Sequence, residues 1–205
     1  MKRGSAAFDK PRCWWCGEDP LYCEYHDKEW GVPVHDDRKI FEMLALESFQ
    51  AGLSWIIILR KRDNFRKAFK NFEARKVARF RKADVARLMR DEGIIRNRLK
   101  IEAAITNARL FLEAQKEFGS FDRYIWRFVG NRTLRNPNGV TRKTIRGTSP
   151  ESDALSKDLR QRGFKFVGST ICYAHMQATG MVDDHVQGCF KYRKRKRYRA
   201  GPAPA

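Results

Sequence analysis

The sequence predicts an all-α fold, and two observations point to that class. Apolar residues recur at spacings of three and four along most of the chain, which is the period of helices that pack on a core. Alternation of apolar and polar residues, which is typical of strands, is nearly absent, and no segment repeats with a fixed period. The chain has 205 residues, of which 42% are hydrophobic, so it can bury a core in one domain or in two small lobes.

The first half of the chain predicts short helices joined by brief connections. Asp36 or Asp37 can cap the first of them, because an aspartate side chain accepts hydrogen bonds from the free amides at a helix start. Gly52 interrupts the pattern, and Gly93 is expected to end the last helix of this half. The positions that define these helices are Ile40, Phe41, Leu44 and Glu47, then 53–61, then Phe65, Ala68, Phe69 and Phe72, and then Val77, Phe80, Val85, Leu88 and Met89.

The second half predicts the longest helix and then a pair of shorter ones. Residues 94–118 carry apolar side chains at helical spacing, and Gly119 is expected to end this helix, with Ser120 capping the next. Residues 130–150 are polar and rich in turn formers, so they predict a surface loop and a candidate lobe boundary. The last two predicted helices are 152–162 and 169–179.

The charge of the chain predicts a polyanionic partner. The formal net charge is +19, from 43 basic and 24 acidic residues. Residues 191–199, KYRKRKRYR, hold seven positive charges, and removing those seven from +19 leaves +12 on the rest of the chain. A charge of this size draws a protein to nucleic acid in a salt-dependent way, so nucleic acid is the expected partner. The alternative is a solvated basic surface that binds nothing specifically.

Cysteine usage and the lack of long apolar runs predict the compartment. Five cysteines is an odd number, and no apolar signal segment stands near the start, so reduced thiols in a cytosolic setting are expected rather than a disulfide framework. The longest apolar run, residues 55–59, is too short to span a bilayer, so no membrane partner is expected. We expect one folded domain at 12–190 between disordered ends at 1–11 and 191–205, acting as a monomer.

One short stretch combines candidate metal ligands with aromatic rings. Residues 13–31, CWWCGEDPLYCEYHDKEWG, hold three of the five cysteines, three of the five tryptophans and the first histidine. Thiolate and imidazole are ligands that zinc prefers, and aromatic side chains present flat faces for stacking. The remaining chain is expected to complete a metal site and a stacking site that both begin here.

The best metal signal joins two distant segments. Four ligands would make a closed, structural site that ties the two ends of the domain together. The candidates are Cys13, His26, His185 and Cys189. The H-x3-C spacing of the last two places both on one side of a turn. Cys16 and Cys23 compete as ligands, and ordinary buried thiols with hydrogen-bonded histidines are the alternative.

Two further features could carry function. The run RGFKFVGS at 162–169 lies between two predicted helices, where glycines permit a tight turn, helix-start amides can hold a phosphate oxygen and Lys165 adds charge. A simple helix connection is the alternative. Glu47 lies in LESFQAGLSW, where a carboxylate near aromatic rings could accept hydrogen bonds from a ring-bound amino group. The alternative for Glu47 is a solvated surface charge. The alternative for Trp30 and Trp55 is that they are core residues and not stacking surfaces.

At these residues the sequence resembles the 3-methyladenine DNA glycosylase I family of bacterial alkylation repair. The resemblance covers about residues 12–190, and no single motif would suffice for it. The runs that carry it are RCWW, DPLYCEYHDKEWGVP, IFEML, LESFQAGLSW, GIIRNRLKIEAAITNAR and DALSKDLRQRGFKFVGSTICYAHMQATGMVDDHVQGC.

The resemblance implies a helix-hairpin-helix glycosylase fold with structural zinc on the four ligands named above. It implies DNA contacts at the 163–168 hairpin, with Gly163, Lys165 and Gly168, and at Ser169 directly after it. It also implies contacts at residues 50–53, a segment that contains Gly52 and Leu53 and would fill the gap left by an extruded base. It also implies a base pocket, formed by Trp15, Tyr22, Tyr25, Trp30, Glu47 and Trp55.

The implied activity is hydrolytic excision of N3-methylated adenine from alkylated double-stranded DNA. The enzyme would flip the nucleotide and leave an abasic site, without lyase chemistry because no lysine is marked out as a Schiff-base nucleophile. Glu47 is expected to recognise the base first and to activate water only second. DNA binding would associate this cytoplasmic enzyme with the nucleoid.

Two alternatives stay open beside this activity. A zinc-stabilised protein of the same fold could bind lesions without cutting, and a glycosylase could have shifted its specificity, for example towards 3-methylguanine. Asp183 in MVDDHV stands where the wider superfamily has a catalytic aspartate, and we expect it to be dispensable here. The basic segment 191–199 is expected to strengthen nonspecific DNA contact.

Overall fold

The predicted all-α class is confirmed by a computed structural model that describes residues 10–136 and 139–192. Most of the two predicted disordered ends, residues 1–9 and 193–205, lie outside the described residues. None of the helices in the described part combines the length and apolar character that a bilayer crossing requires. The α-helices are α1 Pro20–Lys28, α2 Asp37–Gln50, α3 Trp55–Ala68, α4 Ala74–Val77, α5 Lys82–Arg90, α6 Arg98–Phe118, α7 Phe121–Trp126, α8 Pro150–Gln161 and α9 Ser169–Ala178.

Helix α1 was not predicted, and its start has a clear local cause. The Asp19 side chain accepts a hydrogen bond from the Tyr22 amide, and Pro20 occupies the first helical position, where a missing N–H costs nothing. A one-turn 3-10 helix, Trp14–Cys16, precedes it. The segment that was expected to hold ligands and rings is therefore largely helical.

Three predicted helix boundaries were wrong. Helix α3 runs from Trp55 to Ala68, past the predicted end at residue 61, so Phe65 and Ala68 belong to it and not to a separate helix. Helix α6 begins at Arg98 rather than at residue 94, because the Asn97 side chain caps it by accepting a hydrogen bond from the Lys100 amide at 3.1 Å. Helix α5 ends at Arg90, and Gly93 lies beyond it, donating its amide to the Asp91 side chain at 2.8 Å.

Helix α2 forms the centre of the core, because every residue from Ile40 to Phe49 is buried. Helix α9 packs against it in the opposite direction. At one end, the Ser48 hydroxyl donates to the Phe166 carbonyl at 3.1 Å; at the other, the Val34 amide donates to the Thr179 carbonyl at 3.0 Å. The C-terminus of α2 and the start of α9 therefore lie at the same end of the domain.

The surface-loop prediction for 130–150 was wrong in part. Strand β1, Leu134–Arg135, pairs in parallel with strand β2, Val182–Asp183. Val140 is buried and forms a bridge with Val186. The segment therefore contributes to the packing around the residues that carry His185 and Cys189.

We expect Gly180→Ala to destabilise the fold by about 3 kcal/mol. Gly180 has a φ of +70°, and an added Cβ would overlap the backbone of Val32 and Pro33. Gly147→Ala is the matched control, because its Cβ would meet no atom within 4 Å, and its stability should change by less than about 0.5 kcal/mol. Urea unfolding of both variants tests this, and equal midpoints would contradict it.

Candidate active site and metal centre

The four candidate metal ligands lie together and are all buried. Their donor atoms lie within 4.8 Å of one another. Cys189 Sγ lies 3.4 Å from His26 Nε2 and 3.7 Å from His185 Nδ1, which in turn lies 3.6 Å from Cys13 Sγ. A tetrahedral zinc with ordinary Zn–S and Zn–N bonds needs sulfur–nitrogen separations of about 3.5 Å. These residues therefore fit a zinc ion in both chemistry and spacing.

Local structure orients each of these ligands. His185 and Cys189 lie on a tight turn in which the Cys189 amide donates to the Val186 carbonyl at 3.0 Å. His26 lies on α1, and its Nδ1 donates to the Asp27 carboxylate at 2.8 Å, which leaves Nε2 for the metal. Arg12 holds Asp27 through two hydrogen bonds, at 2.9 and 2.7 Å.

The two thiols at this centre shift each other's pKa in opposite directions. The hydrogen bond with Cys189 and then burial raise the pKa of Cys13, while hydrogen bonds from Cys13, His185 and His26 lower the pKa of Cys189. Two adjacent buried thiolates repel each other unless a cation lies between them. Ionisation of both thiols therefore requires a metal or another cation.

The competing cysteines lie outside this group. The Cys16 thiol donates to the Cys13 carbonyl at 3.1 Å, and the Cys23 thiol donates to the Gly17 carbonyl at 3.4 Å. Burial, followed by the neighbouring Cys23, raises the pKa of Cys16 to about 12, so its thiol stays protonated. Both side chains behave as small buried groups bonded to the backbone.

The aromatic candidates form one cluster around Trp15. The Trp15 ring centroid lies 5.0 Å from that of Tyr22, 4.9 Å from that of Trp30 and 6.4 Å from that of Tyr25. Tyr25 in turn lies 5.5 Å from Trp55, at the start of α3. Tilted and edge-on contacts at these distances are favourable, and they hold the rings in fixed positions.

The aromatic cluster contacts the metal centre directly. Trp30 stacks on His26 with centroids 6.3 Å apart and meets His185 edge-on at 4.8 Å. Gly31 follows Trp30 with a φ of +73°, and an added Cβ there would come within 3.0 Å of His185 Nε2. The two candidate sites are therefore one continuous structure, in which the histidines fix a ring of the aromatic cluster.

Glu47 lies beside this cluster, in the last turn of α2. It is 4% exposed, so it is not a solvated surface charge, and burial raises its pKa to about 8. Burial and then the charge of Glu47 raise the pKa of Tyr25, and burial, then Cys16 and then Glu47 raise the pKa of Tyr22, so the carboxylate acts on both rings. None of the described residues donates a hydrogen bond to this carboxylate.

Two indole groups of the cluster also lack partners. The buried Nε1 atoms of Trp15 and Trp55 have no hydrogen-bond partner among the residues that the structure describes. Buried polar groups in folded proteins are nearly always paired, so unpaired ones mark strain or a place for a ligand. Two donors and one acceptor beside a cluster of aromatic rings can bind a planar group that carries both donors and acceptors.

The two candidate DNA-contact segments lie near each other. The turn between α2 and α3 contains Gly52, with a φ of +80°, and Leu53, which is 37% exposed. The connection between α8 and α9, residues 162–168, is bound at Lys165 by Asn107, whose side chain donates to the Lys165 carbonyl at 2.9 Å and accepts from its amide at 2.8 Å. The Ser48 contact with Phe166 joins this connection to α2.

Gly163 and Gly168 have different backbone roles in the α8–α9 connection. Gly163 has a φ of +97°, which glycine adopts without strain, at the point where α8 ends. Gly168 caps α9, so that Ser169 is its first residue and the free amides of α9 follow it. The amides at the start of α9 are the ones that the sequence analysis expected to hold a phosphate oxygen.

Asp183 is engaged in structural contacts. Its carboxylate pairs with Arg135 at 2.9 Å and accepts the His185 amide at 3.3 Å. A cavity of about 680 Å³ lies nearby, and its lining includes Arg146, Tyr173 and Asp184. None of the predicted site residues lines this cavity.

Sequence reasoning missed the residues that support the site. Asp27 follows His26 directly in HDKEW, a signal that could have suggested an orienting carboxylate. No such signal marks Arg12, Asn107 or Lys100, because each donates a hydrogen bond to a residue distant in the chain.

Comparison with known proteins agrees with this geometry. The sequence model of the methyladenine glycosylase family matches residues 15–192. DNA-3-methyladenine glycosylase 1 of Escherichia coli strain K12 is 51% identical over 181 residues, which cover 88% of this chain and 96% of the relative. A crystal structure of 3-methyladenine DNA glycosylase I matches with a TM-score of 0.85 and 49% identity, covering 89% of this chain and 100% of that one. The Staphylococcus aureus 3-methyladenine DNA glycosylase I, solved to describe 3-methyladenine recognition, matches with a TM-score of 0.84 and 35% identity over 90% of this chain and 98% of that one.

Proposed function

Because the chain belongs to the methyladenine glycosylase family, we propose that it flips an N3-methylated adenine out of alkylated duplex DNA and hydrolyses its glycosidic bond. It is a DNA glycosylase, and therefore a hydrolase. One observation carries the proposed substrate: the Glu47 carboxylate is buried without a hydrogen-bond partner among the described residues, beside a cluster of aromatic rings. An abasic site remains after the reaction.

The chemistry of the lesion fits these groups. An adenine methylated at N3 is cationic, so its glycosidic bond is weakened and the base leaves as a neutral molecule while water adds to the sugar. The rings of Trp15 and Trp30 favour a cation over a neutral base through cation–π attraction. Little acid catalysis is needed, so the site acts mainly by selecting and holding the base.

Glu47 recognises the base through its charge and its acceptor oxygens. At neutral pH the raised pKa keeps it largely protonated in the free protein. A cationic base at the cluster favours the ionised form and lowers this pKa, since opposite charges attract strongly in a dry site. The carboxylate then accepts from the exocyclic amine, and bases without that edge leave it unpaired at a cost.

The DNA is held at the end of the domain where α2 finishes and α9 begins. We assign α8, residues 162–168 and α9 as a helix-hairpin-helix unit that grips one backbone through helix-start amides, Ser169 and Lys165. The turn at Gly52 and Leu53 fills the gap that the flipped base leaves. The sequence marks out no lysine as a Schiff-base nucleophile, so the proposed enzyme has no lyase activity.

The metal at Cys13, His26, His185 and Cys189 is proposed to be a structural zinc ion. With four protein ligands it would leave no open position, and it would supply a tie between the two ends of the domain, 12–190. The protein is proposed to act as a monomer in the cytoplasm, bound to chromosomal DNA. The basic segment beyond residue 192 lies outside the described residues.

Base release from methylated duplex DNA tests this function. We expect the wild-type protein to free 3-methyladenine, identified by chromatography, and Asp183→Asn to do so within about threefold of that rate, because Asp183 is bound to Arg135 and to the backbone. Release of 7-methylguanine or 3-methylguanine would indicate a broader pocket. If lesion DNA binds and no base appears, the protein is a non-catalytic lesion binder of the same fold.

A further inference from the structure

Lys100 is a buried lysine that bonds to backbone carbonyls. It is 7% exposed, and no carboxylate pairs with it within residues 10–136 and 139–192. Its Nζ donates to the Phe49 carbonyl at 2.8 Å and to the Ala51 carbonyl at 2.6 Å. Burying an ammonium group is costly unless its donors are satisfied, so both contacts are needed to keep it in place.

The two carbonyls lie where α2 ends and the α2–α3 turn begins. The last carbonyls of a helix have no partner within the helix and carry the negative end of its dipole. A lysine ammonium therefore satisfies both and offsets that charge. Phe49 comes two residues after Glu47, and Ala51 comes directly before Gly52.

The turn has little other support. The Leu53 amide donates to the Gln50 carbonyl at 2.6 Å, a bond within the turn itself. An added Cβ on Gly52 would meet no atom within 4 Å. In the described part of the chain, Lys100 is the one side chain from another helix that hydrogen-bonds to the backbone of residues 49–53.

The same helix also binds the α8–α9 connection. Lys100 and Asn107 are seven residues apart on α6, which is two helical turns, so both face the same side at a distance of about 10 Å along the axis. Asn107 holds Lys165 through two hydrogen bonds. Helix α6 therefore fixes the α2–α3 turn and the connection relative to each other.

We propose that Lys100 is a positioning residue that sets the α2–α3 turn relative to the α8–α9 connection, so that Leu53 meets the duplex where the damaged base leaves. This inference rests on the proposed function, because it concerns the opening of DNA. The pocket for the free base contains other residues, so base binding alone does not require Lys100.

Lys100→Met tests this role, because it keeps most of the side-chain stem and removes the donors. We expect kcat/KM for excision from methylated duplex to fall about tenfold or more, while the affinity for free 3-methyladenine, followed by tryptophan fluorescence, stays within about twofold. Lys100→Arg retains charge and donors and should recover part of the excision rate. A purely structural role would weaken both readouts together.

Lys61→Met is the matched control. Lys61 also donates to a backbone carbonyl, that of Glu92 at 2.7 Å, but it lies six residues into α3 and makes no hydrogen bond to the turn within the described residues, so both readouts should stay within about twofold of wild type. Equal losses of excision and base binding in Lys100→Met, or no loss of excision, would overturn the inference. If Lys100→Met does not fold, Lys100→Gln replaces it, and failure of both to fold would also overturn it.

Failure of the proposed function would look different. In that case the wild-type protein would release no base, whatever residue stands at position 100. Failure of this inference leaves wild-type excision intact.

Discussion

Glu47→Gln is expected to lower kcat/KM for 3-methyladenine release by about 30- to 100-fold. Glutamine keeps the shape of the side chain but loses the charge that pairs with the cationic base, and a hydrogen bond to a charged group contributes about 2–3 kcal/mol. The glutamine NH2 group is also a hydrogen-bond donor, so it cannot pair with the exocyclic amine of the base, which is a donor too. Base release from methylated duplex under single-turnover conditions measures the change.

Glu42→Gln is the matched control for this variant. Glu42 is also a buried glutamate on α2, but it pairs with Arg66 at 2.8 Å and makes no ring contact in the aromatic cluster. We expect it to keep kcat/KM within about twofold for the folded enzyme, since it supports the helix and not the base. If Glu47→Gln lowers kcat/KM by less than threefold, the base is recognised by other residues.

Glu47→Gln is expected to lower activity but to raise stability relative to wild type as the pH increases. Burial raises the pKa of Glu47 from 4.5 to about 8, so the folded state holds a proton that the unfolded state has lost between these values. The contribution of Glu47 to the free energy of unfolding of the wild type is fully present below pH 4.5. It is lost as the pH rises to 8, and the loss is at most about 5 kcal/mol. Glutamine does not titrate, so its melting temperature should exceed that of wild type increasingly from pH 5 to 8.5. Parallel pH profiles would contradict the buried position of the carboxylate.

Most of the helices were predictable because they depend on local pattern, whereas α1 was missed. Ser120 caps α7 and Asp36 caps α2, each by accepting an amide three residues on, as their place before apolar runs predicted. Strand β1 was not predictable, because Leu134 is a lone apolar residue in a polar run, and its partner Val182 lies 48 residues away. Pairing over such a distance leaves no periodic signal in either segment.

The candidate site likewise has features that the sequence predicted and features that only the packed structure shows. The spacing of His185 and Cys189 predicted that both would face one point, and they do. The burial of Glu47 depends on helices packing around α2, so residue type alone favoured a solvated charge. Lys100 reads as one more surface cation in a chain of 43 basic residues, and only the packed structure reveals the carbonyls that it binds.

Cys189→Ala is expected to abolish stoichiometric zinc binding and to lower the melting temperature by about 10 °C. Metal binding to a folded site adds directly to folding free energy, and a loss of about 4 kcal/mol shifts a chain of this size by that amount. The variant retains only three of the four ligands, Cys13, His26 and His185, which are too few for a closed site. Metal analysis of the purified protein and calorimetry, with and without a chelator, measure both effects.

Cys172→Ala separates the loss of the metal from the loss of a buried thiol. Cys172 is fully buried on α9, and its thiol donates to the Val167 carbonyl at 3.4 Å, away from the metal centre. Its removal should cost about 1 kcal/mol and leave one zinc ion per chain, because the variant loses only a long thiol hydrogen bond and leaves a small cavity, and the four ligands stay in place. Because His185 contacts Trp30 edge-on, the chelated wild-type protein should also bind free 3-methyladenine more weakly, whereas Cys172→Ala should not. Equal stability losses in the two variants, or a wild-type protein that binds no zinc, would show that the four residues are only a packed cluster of thiols and imidazoles.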